Sequence, residues 1–225
     1  GKILAMDVDD WTGIGPYSVY PRTSAIEGNQ VVNLCGGPYD FANYRAQTTV
    51  VFQNKTPTCQ YRAVGHPIAV AITEGLVDMA AAAIGMDPVE IRRRNMYADD
   101  AYPVTSPAKM KFEGLSHHAS MDKLIEMMDY DSLRADQAEA RKQGKYRGIG
   151  IASFIELTNP SPFMYGIGGA RISAQDGCTV RMDPDGSVVA LSGVTEQGQG
   201  TEAMLSQVVA EGVGVKPSNV RVITG

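Results

Sequence analysis

The sequence is short of the patterns that announce most kinds of site. It has three cysteines, Cys35, Cys59 and Cys178, widely spaced and with no C-x-x-C pair, which argues against zinc or iron–sulfur ligation within the chain. Buried, inert thiols in a reducing compartment are the expectation they leave. The three histidines, His66, His117 and His118, show no H-x-x-x-H spacing, so no histidine metal site is expected. No apolar run approaches the roughly 18 residues of a membrane span, and the start carries no signal-peptide pattern. Positive charge is not in excess: a net charge of −5 and a pI near 5.2 argue against a nucleic-acid-binding surface. There is no initiator Met, and the final Val220–Gly225 stops where a strand should hand over to a turn. A piece of a longer protein is therefore expected.

What is there is ordinary globular composition, 44% hydrophobic and 20% charged, in 225 residues, enough for one large domain or two small ones. The most informative stretch is Gly193 to Gly214. An apolar alternating run, Ser187 to Ser192, leads into glycines at Gly193, Gly198 and Gly200. A helical pattern then begins at Thr201, with Met204, Leu205, Val208 and Val209 on one stripe. Strand, glycine-rich turn and helix start form an arrangement that accepts anions on unpaired backbone N–H groups. Gln197 and Gln199 add amides that donate and accept. The spacing fits neither G-x-G-x-x-G nor the P-loop, and a turn that is glycine-rich for conformational reasons alone remains the plainer alternative. Glu196 in that turn reads as a solvated or helix-N-terminal carboxylate rather than a catalytic base.

Along the rest of the chain, Lys2 to Asp9 reads as a strand with Ile3, Ala5 and Val8 inward. Trp11 to Pro21 reads as a loop whose Trp11, Tyr17 and Tyr20 cover the core. Val31 to Leu34 is a short apolar run and Thr48 to Gln53 a strand. Ile68 to Ile84 is the clearest helix, with Ile68, Ile72, Leu76, Met79 and Ala83 at helical spacing, Pro67 in its first turn and Gly85 as its stop. Asp87, Pro88 and Glu90 open a second helix with a capping box. Its Arg92, Arg93 and Arg94 read as a solvated or salt-bridged helix end. Met121 to Met128 and Ser132 to Gln143 are short amphipathic helices. Gly148 to Ile155 reads as a buried strand. Leu157 to Gly169 is an apolar, aromatic loop suited to a substrate wall or a subunit contact. Ala170 to Ala174, Cys178 to Met182 and Ser187 to Ser192 read as antiparallel strands, with Asp183 to Gly186 as a hairpin turn, and Val220 to Ile223 is a last strand. The fold class is α+β in two lobes: mixed strands with a helix pair over residues 1–97, a helical connection over 98–145, and a small, mostly antiparallel sheet packed on a helix over 146–225.

Four stretches together resemble the molybdenum-binding large subunit of the xanthine dehydrogenase family, which includes aldehyde oxidases and aerobic carbon monoxide dehydrogenase. They are Gly36-Gly-Pro-Tyr-Asp40; Asn54-Lys-Thr-Pro57 with Tyr61-Arg-Ala-Val-Gly-His-Pro67; Met86-Asp-Pro-Val-Glu-Ile-Arg-Arg-Arg-Asn95; and Asp185-Gly-Ser187 with Gly193-Val-Thr-Glu-Gln-Gly-Gln-Gly200. Their order and spacing cover nearly the whole chain.

The resemblance implies a molybdopterin cofactor carrying molybdenum, as the cytosine dinucleotide in many bacterial members. It implies oxidation of an aldehyde or N-heterocycle with water-derived oxygen. Iron–sulfur clusters and FAD would sit on partner domains or subunits of a cytoplasmic hetero-oligomer. Arg62 matches the family's molybdopterin-contacting arginine, whose structural alternative is a tie between the loop and the helix cap. Gln197, Gly198, Gln199 and Gly200 match the pterin-binding turn. Ala63 departs from the family's usual Gly. Val64 stands where xanthine oxidoreductases carry Phe, which makes purine a poor guess. Val64, Phe154 and Phe163 are the candidates for the substrate-facing wall. The family's catalytic glutamate would lie beyond residue 225, so the chain alone is expected to be inactive. A carbon monoxide dehydrogenase-like subunit, though its cysteine-bearing loop has no equivalent in this chain, and a non-catalytic module that kept the fold are the alternatives.

Overall fold

The computed structural model describes residues 1–19, 23–156 and 176–225. The chain divides into two compact units, Gly1–Thr158 and Asn159–Gly225. The helices of the expected connection lie within the first of these units.

The first unit is built on a parallel β-α-β unit. Strand β1 (Ala5–Gly13) and strand β2 (Asn43–Val51) pair in parallel, Ala5 opposite Asn43 and Gly13 opposite Val51. Helix α1 (Ile26–Leu34) makes the crossover. Strand β1 runs four residues past the Asp9 end that its alternation predicts, and the apolar run Val31 to Leu34 is the tail of α1. The parity of β1 also differs: Met6, Val8 and Thr12 are buried and Ala5 is exposed. That parity turns Trp11 outward, 66% exposed, and Tyr17 is exposed too, so neither covers the core.

Helix α2 (His66–Ala83) and helix α3 (Pro88–Asn95) follow as expected. Asp87 caps α3, its Oδ1 accepting from the N–H groups of Val89 at 2.8 Å and Glu90 at 3.4 Å. The Glu90 carboxylate accepts from Arg94 at 2.8 Å. The buried face of α2 is Ala69, Thr73, Glu74, Val77 and Ala81. The predicted stripe is the wrong one: Ile68, Leu76 and Met79 are exposed, Met79 by 69%. Because α2 is apolar nearly all round, periodicity alone cannot choose its inner face.

Strands β3 (Val104–Thr105) and β4 (Lys111–Phe112) form a short antiparallel pair, and helices α4 (His117–Met128) and α5 (Tyr130–Lys142) complete the unit. The core gathers Met6, Val8, Val31, Tyr39, Phe41, Val77, Ile91 and Ile151 among others. Ile151 is buried, but, among the described residues, 148–155 pair with no strand; side chains of α2 and α3 hold this segment, which the sequence had suggested as a buried strand.

The second unit repeats the parallel theme on a smaller scale. Strands β5 (Cys178–Met182) and β6 (Val188–Ser192) form the predicted hairpin. Strand β7 (Val220–Thr224) then pairs in parallel with β6 after helix α6 (Thr201–Val213). The sheet is thus half antiparallel and half parallel. Its core is Val188, Ala190 and Val209, each fully buried valine contributing about 1.5–3 kcal/mol. On α6, Thr201, Val209 and Ala210 face inward while Met204 and Val208 are exposed. The expected strand Ala170 to Ala174 and the loop Leu157 to Gly169 lie outside the described residues. Among the described residues no single helix is long and apolar enough to cross a membrane.

Candidate functional site

Two loops carry the predicted site residues, one in each unit. In the first unit a cavity of about 200 Å³ is lined by Glu27, residues 59–65 including Arg62 and Val64, and by Pro67 and Ile68. It opens at the N-terminal end of α2. The backbone there is set by two left-handed residues, Ala63 (φ 52°) and Gly65 (φ 75°), and the His66 N–H closes the turn on the Ala63 carbonyl at 3.0 Å. Gly65 is the N-cap of α2 and has no side chain to offer the helix start. A side chain at Gly65 could not fit: a Cβ would lie 2.6 Å from Gln30 Cβ and 2.7 Å from the Glu27 carbonyl of α1. The left-handed conformation at residue 63 also explains why glycine suits that position; alanine there costs about 1 kcal/mol.

This cradle offers an exposed guanidinium, the Ile68 N–H at the start of α2, since the His66 and Ala69 N–H groups are taken by the Ala63 and Gly65 carbonyls and Pro67 has none, and one exposed thiol, Cys59. Such donors suit a polar, anionic group. His66, 6% exposed, leaves its Nδ1 without a partner. Burial lowers its pKa, against the opposing pull of the Glu156 charge, so it is neutral at physiological pH.

Beneath the cradle lies a feature the sequence reading missed. Arg92 is 0% exposed. Its Nε donates to Glu74 Oε2 at 2.8 Å, its Nη1 to Asp78 at 2.7 Å and to the Pro88 carbonyl at 2.9 Å, and its Nη2 to the Ile151 carbonyl at 2.8 Å. Glu74 also accepts from the Tyr39 hydroxyl at 2.6 Å and from the Ser153 N–H at 3.0 Å. Burial works against the Arg92 cation, but Glu74, Asp78 and Tyr39 outweigh it and its pKa is raised. Burial, then the Glu74 carboxylate, pushes the Tyr39 hydroxyl up. Of the arginine triplet, only Arg93 (on Asp122) and Arg94 (on Glu90) are the surface ion pairs that were expected. The readable signal was in α2: Glu74 and Asp78, its only charged residues, stand i,i+4 in an apolar helix and require a cation.

In the second unit, residues Val194–Gly200 form the turn before α6. Gly198 (φ 86°) and Gly200 (φ 81°) are left-handed, and Gly200 is the N-cap. The helix start is not open, as the sequence reading supposed. Glu196 Oε1 accepts from the Gly198 N–H at 2.8 Å and the Gly200 N–H at 3.2 Å, and Oε2 from the Glu202 N–H at 3.3 Å. Slight burial opposes ionisation, but these backbone donors win and the Glu196 pKa is lowered. Gln199 Nε2 reaches the Thr195 carbonyl at 2.9 Å and Thr201 Oγ1 at 2.7 Å, while its Oε1 accepts from the Gln197 N–H at 2.5 Å. An open groove of about 610 Å³, lined by Asp176 to Thr179, Leu191 to Gly193, Ile223 and Gly225, lies at the carboxyl ends of the parallel strands β6 and β7. Ligands in open α/β sheets bind at that edge.

Of the candidate substrate-facing residues, Val64 shares the cavity with Arg62. Phe154 is exposed and is not part of that lining; its carbonyl lies 3.3 Å from His117 Nε2. Phe163 lies outside the described residues. The cysteines depart from expectation: Cys35 is buried, and burial pushes its thiol up to about 11, whereas Cys59 and Cys178 are exposed.

Both loops fall within recognisable sequence families. Residues 1–96 match one molybdopterin cofactor-binding domain and residues 123–225 a second. The chain belongs to the molybdopterin-binding large-subunit family that includes xanthine dehydrogenase and carbon monoxide dehydrogenase. It is 36% identical over 228 residues to the nicotine 6-hydroxylase large subunit of Paenarthrobacter nicotinovorans, covering 100% of this chain and 28% of that protein. It is 28% identical to the carbon monoxide dehydrogenase large chain of Hydrogenophaga pseudoflava, again covering 100% of this chain and 28% of the relative. Among solved structures, quinoline 2-oxidoreductase from Pseudomonas putida 86 superposes with a TM-score of 0.86 at 32% identity, over 99% of this chain and 28% of that one. The chain thus spans little more than a quarter of the length of these relatives.

Proposed function

We propose that the chain is the cofactor-holding part of a molybdenum hydroxylase large subunit that oxidises an N-heterocycle or aldehyde with oxygen from water. The observation that supports this most is that two molybdopterin-binding domain matches and a 36% identical relative span the same chain. N-heterocycles lead because the relatives named for nicotine and quinoline stand at 36% and 32% identity, above the carbon monoxide dehydrogenase large chain at 28%.

In this reading Arg62 binds the molybdopterin, in the cytosine dinucleotide form, from the mouth of the α2 cradle. The Gln197–Gly200 turn supplies amide contacts of its own. The cradle's chemistry fits: a guanidinium beside the Ile68 N–H at a helix start suits phosphate and pterin carbonyl oxygens. When bound, the molybdenum cofactor supplies the two-electron acceptor for the oxidation. The chain's own residues bind and orient it, and Val64 contributes a small, apolar patch of wall. Partner subunits bearing iron–sulfur clusters and FAD would take the electrons onward, in a cytoplasmic hetero-oligomer. The base that moves the proton lies outside these residues, and the chain alone is expected to be inactive.

The test is metal and pterin analysis of the full-length subunit with its partners. Arg62→Ala is expected to lower molybdenum and pterin content together. Normal content in that variant would remove Arg62 from the site, and stoichiometric molybdenum in the isolated 225-residue chain would overturn the view that it needs the rest of the subunit.

A further inference from the structure

We propose that Glu196 is a positioning residue that holds the Gln197–Gly200 turn in its binding shape. The inference rests on reading that turn as a cofactor contact. Two of its four residues, Gly198 and Gly200, are left-handed glycines, and glycine has no intrinsic preference for that conformation over others. Packing does not impose the shape at the helix start either, since among the described residues nothing beyond its chain neighbours lies within 4 Å of where a Cβ on Gly200 would stand. The carboxylate of Glu196 does impose it. One oxygen takes the N–H groups of both glycines and the other that of Glu202 in the first turn of α6. These are hydrogen bonds to an ionised acceptor at the positive end of a helix, where a negative group is stabilised. The side chain is thus an internal anion that sets the φ angles of the turn before any ligand arrives. Gln199 is aligned by the same arrangement, its Oε1 on the Gln197 N–H and its Nε2 on Thr195 and Thr201.

The test uses the full-length subunit with its partners and two readouts: molybdenum and pterin content, and hydrogen exchange of a peptide spanning residues 196–202. Glu196→Ala is expected to speed exchange of the turn roughly tenfold and to lower cofactor content. Glu196→Gln is expected to fall between it and the parent, because the remaining carbonyl oxygen can keep the two glycine N–H groups. Should Glu196→Ala not fold, Glu196→Gln decides on the same readouts. Unchanged exchange in these variants overturns the proposal. So does accelerated exchange with full cofactor content, provided that Gln197→Ala loses cofactor. Full cofactor content in Gln197→Ala would instead bring down the reading of the turn itself, and the proposal with it.

Discussion

The two cofactor-loop candidates share one backbone design and differ in what fixes it. Each precedes a helix whose N-cap is a left-handed glycine, Gly65 before α2 and Gly200 before α6, and in neither does the cap residue supply a side chain to the helix. At Gly65 the conformation is enforced by bulk, because α1 presses against the position where a Cβ would be. At Gly200 the surroundings are open, and the conformation is enforced by the Glu196 carboxylate. A steric lock does not respond to pH or salt, whereas an exposed electrostatic one responds to both. The difference follows from the two units. The first has a core large enough to press helices together; the second has, among its described residues, four buried hydrophobic ones, Val188, Ala190, Val209 and Ala210, and relies on polar contacts at its surface.

The largest expected loss is in the first unit, at the buried ion pair that its core encloses. Glu74→Ala would strand Arg92 with half its counter-charge, and breaking a buried ion pair costs about 3–5 kcal/mol. Denaturant unfolding followed by Trp11, the sole tryptophan and a residue of the first unit, should show this as a lowered midpoint. A loss under about 1 kcal/mol would place the network among ordinary surface pairs. Next in size is Gly65→Ala, expected to cost ~3 kcal/mol through overpacking and a left-handed alanine. Gly200→Ala should cost ~1 kcal/mol, from the backbone alone. Equal losses at the two glycines would erase the distinction between the locks. Ala63→Gly is the counterpart in the opposite direction: relief of a left-handed alanine should raise stability by at most about 1 kcal/mol, read as a small rise in the same midpoint.

The smallest effect is the most selective. The Glu196 pKa is depressed in the folded chain. Its contribution is therefore complete above the ordinary glutamate range and is lost as pH falls through the lower, folded value. Hydrogen exchange corrected for intrinsic pH dependence should show the 196–202 turn loosening under acid conditions while the Gly65 turn holds. Parallel loosening of both would contradict an electrostatic lock confined to the second.

What could be read from sequence was what local chemistry decides. The cap of α3 depends on neighbours in sequence, and the structure has the Asp87 cap and the Pro88 start as predicted, while Glu90 turns to Arg94 and leaves the reciprocal half of the capping box unmade. The hairpin at Asp183 to Gly186 and the helix start at Thr201 are equally local. The inner face of α2 was not legible, because Ile68, Leu76 and Met79 are as apolar as the residues that α1 and α3 cover. The supposed strand at Gly148 to Ile155 failed for a related reason: an apolar extended run becomes a strand only if a neighbour offers a ladder, and here Arg92 and Glu74 take its backbone groups. The turn at Gly193 to Gly200 is marked by its glycines between a strand and a helix pattern, whereas the Arg62 loop is marked only by family resemblance. The reason residue 63 favours glycine appears only once its φ is known.

The Arg92 network also orders events in time. Its Nη2 finds the Ile151 carbonyl 59 residues further along the chain, and Glu74 accepts from Ser153 across 79 residues. On a ribosome α2 and α3 are complete by Asn95, yet their shared cation keeps an unmet donor until residue 151 has emerged. Burial of that donor unpaired is unfavourable, so the platform that carries Arg62 sets late, after α4 and α5 have been made. The guanidinium therefore ties the packing of α2 and α3 to a segment synthesised 59 residues after it.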